Sequence, residues 1–253
     1  MSAALNMTLE DAPGGLHCDI PVTPGIEAGI TLAAAGDMAL AQDRGVPGRA
    51  RFAACRGIRR ERLYGFRQVH SRRVQVIDGQ TLEQAAAVEA DGLLCAGTDA
   101  VLSVTVADCL PIFLSDRRTG AFGIVHSGWR GTGIVLEALA LMAARFGTQP
   151  GDLTVVIGPG IGACCYAVPE DRAVFFAAEY GPETVHRRED GVPRLDLRAA
   201  NTGLLGRAGV EEIRVVTDCT SCSTKLGSFR RQGPAAYTLI LAWIGRQDAL
   251  PRT

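Results

Sequence analysis

The stretch Val101–Gly131, "VLSVTVADCLPIFLSDRRTGAFGIVHSGWRG", decides the fold. Its short apolar runs, bounded by turn residues, read as strands of a buried sheet. "SDRRTG" separates two of the runs, and Gly120 can supply the positive φ that a hairpin loop or bulge needs. A two-residue turn at Arg117-Arg118 sets Cys109 directly opposite His126; a turn displaced by one residue makes them diagonal neighbours. Opposed residues project from one face, with Cβ atoms about 4.5–5.5 Å apart. A thiol and an imidazole so placed can share a metal ion or act as a thiolate–imidazolium pair.

The surroundings of this pair carry further chemistry. Asp108 stands just before the cysteine, in an otherwise apolar run, either to orient a ligand histidine or to hydrogen-bond a turn. The histidine leads into "SGWRGTG", glycines that open a helix. Backbone N–H groups at a helix start attract anions. Ser127, Gly128 and Arg130 are therefore candidate phosphate- and substrate-binding residues, although glycine there also suits a tight connection. Trp129 can stack on a flat ring or brace the loop. The chain holds four histidines, so the candidates for a third ligand are His17, His70 and His186. His186 lies in the charged "VHRRED", and His17 in a weakly patterned N-terminal segment. His70 closes "FRQVH", a strand end like the other two positions, with Gln68 beside it as a polar contact. Two imidazoles and one thiolate suit Zn²⁺, and three protein ligands with a fourth position open describe a catalytic zinc. Such an ion can lower the pKa of a bound water or polarise a substrate oxygen.

The remainder of the chain bounds the answer. It has 253 residues, a net charge of −1, 47% apolar and 21% charged residues. That balance fits a globular domain with a sizeable core and gives no field to attract nucleic acid or an anionic membrane. No apolar run reaches the roughly 18–20 residues of a membrane span. The acidic residues Glu10, Asp11 and Asp19 argue against an export signal, so a cytoplasmic protein with reduced thiols is expected. Lys225 is the only lysine, a composition bias without functional weight. "RLYGFRQVHSRRVQVID" reads as strand, turn, strand, and residues 36–55 as a helix broken at Gly45 and Pro47. "TGIVLEALALMAARFG" is the clearest helix, with Val135, Leu139, Met142 and Phe146 on one stripe and Gly147 as its stop. "LTVVI" and "IRVV" read as strands, and "PEDRAVFFAAEYG" and "DLRAANTGLLGRAG" as helices. "AYTLILAWI" fits a strand or a buried helix. The class is mixed α and β in one domain over residues 1–253. Cys219 and Cys222 form a C-x-x-C that lacks the second half of a four-cysteine site, and the adjacent Cys164 and Cys165 would point to opposite faces of a strand.

These segments resemble one family. "QVH" at 68–70, "DGLL" at 91–94, "VADCLPIFL" at 106–114, "GIVHSGWRGT" at 123–132, "IGPGIGACCY" at 157–166, "DLRAAN" at 196–201 and "DCTSC" at 218–222 occur in order. Together they resemble the laccase-domain, or multicopper polyphenol oxidase-like, family, whose members have been reassigned as purine nucleoside phosphorylases. The resemblance implies an α+β domain with two mixed β-sheets flanked by helices in αββα-type layers. It implies a zinc site at His70, Cys109 and His126. It also implies phosphorolysis of adenosine, inosine, guanosine and 5′-methylthioadenosine, with adenosine deaminase activity. The implied partners are these nucleosides and phosphate, with no nucleic acid or membrane, in a monomer or homodimer. The chain departs from the family near its C-terminus, where "LGSFRRQGPAAYT" stands for a pattern like "FFSYRRDGxTGR". It also lacks the usual N-terminal Gly-Gly-Val-Ser, and Ser71 replaces a common glycine.

Three other readings compete. A multicopper phenol oxidase needs more histidines than the four present. A metal-free hydrolase would use Cys109 as a nucleophile activated by histidine, acting on amides or esters such as cell-wall precursors. An inactive binding protein would account for the altered C-terminal motif.

Overall fold

The computed structural model describes residues 4–12, 14–40, 46–79, 81–97 and 99–247. In chain order its first half runs β1 (Leu5–Met7), β2 (His17–Asp19), β3 (Ile26–Thr31), α1 (Val46–Cys55), β4 (Leu63–Tyr64), β5 (Val74–Val76), α2 (Leu82–Ala86), β6 (Gly92–Cys95) and β7 (Val101–Val106). The second half runs β8 (Leu110–Asp116), β9 (Phe122–Ser127), α3 (Ile134–Phe146), β10 (Leu153–Ile157), α4 (Glu170–Tyr180), β11 (Val185–Arg187), β12 (Pro193–Leu195), α5 (Leu197–Arg207), β13 (Glu212–Val216), α6 (Phe229–Gln232) and β14 (Ile240–Arg246).

The strands form a seven-stranded sheet, β1-β13-β10-β8-β9-β6-β5, and a five-stranded sheet, β2-β3-β14-β7-β4, with β11-β12 as a small ribbon. Both large sheets mix parallel and antiparallel pairs. Their facing sides bury Phe113, Phe122, Ile124 and Val156 of one sheet against Ile30, Val104, Ile240 and Ala242 of the other. The outer side of the larger sheet packs Ile112, Leu114, Val125 and Val155 against Val135, Met142, Phe176 and Leu205 of α3, α4 and α5. The outer side of the smaller sheet packs Leu241 and Trp243 against Phe52 and Ala53 of α1. The layers are therefore helix, sheet, sheet, helix. A strand buried on both faces carries apolar side chains at successive positions, and this is why "LPIFL" and "ILAWI" look continuous rather than alternating. Removing the Phe113 ring, fully buried between the sheets, is expected to cost about 3–5 kcal/mol in Phe113→Ala. Urea unfolding with an unchanged slope and a lower midpoint would register that loss.

Several local expectations hold. α3 spans Ile134–Phe146 and ends at Gly147 with φ 69°. Of the strand and the buried helix that "AYTLILAWI" fits, the structure has the strand, β14. Others are corrected. The helix expected over 36–55 starts at Val46, so Pro47 lies in its first turn, where a missing N–H is harmless; Gly45 lies outside the described residues. "RLYGFRQVHSRRVQVID" is no hairpin: β4 joins the smaller sheet beside β7 and β5 the larger one beside β6. The β8–β9 register pairs Pro111 with His126, one turn position away from a turn at Arg117-Arg118. The cause is a four-residue loop, Arg117–Gly120, whose backbone closes on Asp116: that carboxylate accepts from the N–H groups of Arg118 (2.7 Å) and Thr119 (3.0 Å), and from the Thr119 hydroxyl (2.7 Å). "VLSVTVADCLPIFL" is also divided between the sheets, β7 in the smaller and β8 in the larger, with Ala107-Asp108-Cys109 as the crossover.

Candidate active site

The crossover is where the site lies. Cys109 sits at the foot of β8, His126 near the end of the neighbouring β9, and His70 in the loop between β4 and β5. One donor atom from each of these three residues lies within 4.8 Å of the others. The rings of His70 and His126 meet edge to face, with centroids 4.9 Å apart. Cys109 and His126 are thus the diagonal neighbours of the displaced hairpin. A Cβ on Gly128 would lie 2.7 Å from Cys109 Sγ, so glycine is needed for the loop to pass beneath the thiol.

The two non-glycine residues with positive φ among the described residues both belong to this site: His70 at 59° and Asp108 at 96°. Backbone in this region costs free energy and persists only where surrounding contacts impose it. For His70 the contacts come from Asp91, fully buried at the start of β6. Its carboxylate accepts from the N–H groups of Val69 (3.3 Å), His70 (3.0 Å) and Ser71 (2.6 Å), and from the Ser71 hydroxyl (2.7 Å). It also accepts from His126 Nδ1 at 2.9 Å. One carboxylate therefore shapes the His70 turn and holds the His126 ring by Nδ1, leaving Nε2 as the nitrogen free to bind a metal. Burial opposes ionisation of Asp91, but the bonds from His126 and Ser71 outweigh it and hold the carboxyl below its usual range.

Asp108 does not contact a histidine ligand. Its carboxylate accepts from the Thr220 hydroxyl (2.6 Å) and the Arg230 N–H (2.7 Å), and its carbonyl from Ile161 N–H (2.8 Å). It locks the crossover that presents Cys109. The orienting carboxylate is Asp91, which sequence reasoning missed although it opens the quoted "DGLL". A lone acid before a wholly apolar strand must find partners when buried, and that signal was available.

Burial raises the Cys109 thiol, but the His126 and His70 imidazoles more than reverse this and bring it to about 6. Burial lowers His126, and Cys109 and Asp91 lift it to about 9. At neutral pH the sulfur is a thiolate, the form that binds metals and attacks electrophiles. In metal-free protein, alkylation of Cys109 by iodoacetamide is expected to rise with pH through a midpoint near 6. A midpoint in the ordinary thiol range, about 8.5, would contradict the pairing.

The three residues line a cavity of about 870 Å³. Phe66, Trp129, Tyr166, Phe229 and Tyr237 supply aromatic wall, and Arg67, Arg172 and Arg230 supply positive charge. The Arg172 guanidinium lies 4.3 Å over the Trp129 ring, and Arg130 lies 5.2 Å from the same ring. Trp129 thus both lines the cavity and packs on the core around α3. Gln68 reaches the wall with its amide engaged by Thr105, donating to its carbonyl (2.8 Å) and accepting from its N–H (2.8 Å). Ser127 is buried against Asn201 (3.2 Å), and Arg130 is exposed; neither lines the cavity. His17 and His186 lie elsewhere, beside Asp19 and Asp196. The altered C-terminal segment still delivers Phe229, Arg230 and Tyr237 to the wall.

A divalent cation fits this donor set. Two imidazoles and a thiolate converge, one histidine is backed by a carboxylate, and the cavity leaves a fourth direction open. Residues 41–245 match the family model described as multi-copper polyphenol oxidoreductase laccase. The chain is 32% identical to the purine nucleoside phosphorylase YlmD of Geobacillus stearothermophilus, over 94% of this chain and 97% of that protein. It is 36% identical to a purine nucleoside phosphorylase of Deinococcus radiodurans, over 72% and 70%. The crystal structure of Geobacillus stearothermophilus YlmD superposes with a TM-score of 0.84 at 30% identity, covering 95% of this chain and 99% of that one. The Bacillus licheniformis hypothetical protein YfiH superposes with a TM-score of 0.83 at 27% identity, covering 93% and 97%.

Proposed function

The chain belongs to the multi-copper polyphenol oxidoreductase laccase family, and from that membership we propose a zinc-dependent purine nucleoside phosphorylase that also deaminates adenosine. The substrates are adenosine, inosine, guanosine and 5′-methylthioadenosine with phosphate, in a cytoplasmic enzyme. The observation that carries the reading is the convergence of His70, Cys109 and His126 within 4.8 Å at an aromatic-walled cavity. Relatives named purine nucleoside phosphorylase support it.

The aromatic wall offers flat apolar faces to a purine. Arg172 and Arg230 border the same space and suit a phosphate dianion. In phosphorolysis a phosphate oxygen bonds to the sugar C1′ as the bond from C1′ to the purine nitrogen breaks, and the base leaves with the electron pair and takes up a proton. In deamination, water adds at the purine C6 and ammonia leaves. The buried Asp91 holds His126 with Nδ1 protonated, and Asp108 holds Cys109 at the cavity floor. Zinc at these residues supplies a Lewis acid. The donor set accommodates a single copper, but His17 and His186 lie outside the cluster, so no further histidine joins it to hold several coppers there.

Zinc-loaded protein is expected to release hypoxanthine from inosine only with phosphate, and ammonia from adenosine without it. Neither base nor ammonia from any purine nucleoside would reject the reading. A metal-free hydrolase draws on the same low-pKa thiol; covalent trapping of Cys109 by an ester or amide substrate in metal-free protein would support that instead.

A further inference from the structure

A second group of four sulfurs lies apart from the His70, Cys109 and His126 set. The thiols of Cys164, Cys165, Cys219 and Cys222 all fall within 4.8 Å of one another. Cys222 Sγ is 3.7 Å from Cys164 Sγ and 3.4 Å from Cys165 Sγ. Four sulfurs at about 2.3 Å from a central ion, arranged tetrahedrally, stand about 3.8 Å from each other. The observed spacing is near that value and well beyond a disulfide bond of about 2.05 Å. We infer that Cys164, Cys165, Cys219 and Cys222 form a tetrathiolate site for a structural Zn²⁺.

Local backbone explains how adjacent cysteines come to share one centre. Cys164 and Cys165 sit in a turn, not a strand, closed by the N–H groups of Cys165 (2.9 Å) and Tyr166 (3.0 Å) on the Gly162 carbonyl. The opposite-face rule of a strand does not apply there. Cys219 and Cys222 lie on a second tight turn, in which the N–H groups of Cys222 (3.1 Å) and Ser223 (2.9 Å) donate to the Cys219 carbonyl. Gly162 N–H donates to Cys219 Sγ at 3.2 Å, a bond that favours the thiolate. Positive charge stands near: a Cβ on Gly162 would lie 3.1 Å from Cys164 Sγ and 3.2 Å from an Arg198 guanidinium nitrogen. Four thiolates around a divalent ion carry a net charge of about −2, which this cation partly offsets.

The site also has a place in the architecture. Its two turns follow β10 and β13, and these exit segments touch at Gly160 and Cys219. The Thr220 N–H donates to the Gly160 carbonyl at 3.1 Å, while the Thr220 hydroxyl and Ile161 N–H both hold Asp108. An ion joining the turns therefore staples the frame that presents Cys109 and carries Tyr166 on the cavity wall.

The test is elemental analysis of full-length protein purified without chelators, beside two variants. Wild type is expected to hold two zinc ions per chain. Cys219→Ser/Cys222→Ser is expected to fall to one, and Cys109→Ser also to one, each variant keeping the other site. Failure at the His70, Cys109 and His126 site would thus leave this inference standing, and the reverse. If the double variant does not fold, Co²⁺ substitution of Cys109→Ser protein decides. Intense sulfur-to-cobalt charge transfer with the visible bands of four-sulfur coordination is expected, and a spectrum without thiolate bands would overturn the site. Equal zinc in wild type and Cys219→Ser/Cys222→Ser would overturn it too, as would a native mass showing these cysteines paired in disulfides.

Discussion

Cys109→Ser is expected to lose tight zinc retention and to lower kcat/KM for inosine phosphorolysis by at least about a hundredfold. Among the described residues no fourth histidine, cysteine or carboxylate joins the three. Cys109 supplies the one sulfur and the one negative charge among the three residues, and its thiol at about 6 makes it anionic at neutral pH. A serine hydroxyl stays protonated there and is a poor partner for zinc. The substitution changes little volume, and the frame around it holds independently of the sulfur, since Asp108 bonds Thr220 and Arg230 through its own carboxylate. Folding should therefore survive, which circular dichroism can check. Zinc content and turnover measured on one preparation separate two roles. Both should fall together if Cys109 is a ligand. Lost turnover with zinc retained at this site would make it a nucleophile instead.

Asp91→Asn is expected to weaken metal binding by about 10–100-fold and to destabilise the fold by several kcal/mol. Asp91 Oδ1 accepts from His70 N–H and His126 Nδ1, and Oδ2 from Val69 N–H, Ser71 N–H and the Ser71 hydroxyl. An amide replaces one of these oxygens by a donor. Whichever way it is turned, at least two donors aimed at this buried position lose their acceptor, at about 1–3 kcal/mol each where they are shielded from water. The left-handed turn at His70 loses its anchor in the same step. The pH dependence follows from the depressed Asp91 pKa: its stabilisation is complete above the ordinary carboxylate pKa of about 3.9 and fades as pH falls through the lower folded value. The full penalty of Asp91→Asn therefore applies at neutral pH. Urea unfolding and zinc competition against a chromophoric chelator measure the two effects. Affinity within threefold of wild type would contradict the role given to Asp91.

The sequence disclosed what depends on local pattern and hid what depends on distant partners. α3 was legible because its apolar stripe and Gly147 report a helix and its end without reference to anything else. The β8–β9 hairpin was legible for the same reason, but its register was not. Register depended on the Asp116 carboxylate closing a four-residue loop, and "SDRRTG" fits shorter turns equally well. The division of "VLSVTVADCLPIFL" between two sheets rests on Asp108 at φ 96°, held by Thr220 and Arg230 more than a hundred residues away. No window of sequence contains that contact. His70, Cys109 and His126 were reachable because strand ends and donor chemistry single them out, and the family resemblance names the same three. The cavity's Arg172 and the gathering of four cysteines were not, since each needs segments that meet only through the β10 and β13 exits and α4.

X-ray diffraction from crystals of the purified protein, recorded on both sides of the zinc absorption edge, tests the shared ion directly. The expected result is an anomalous peak about 2.3 Å from Cys109 Sγ and about 2.0–2.1 Å from one nitrogen each of His70 and His126. A zinc-replete, active protein whose anomalous map shows no peak among these three residues would contradict it.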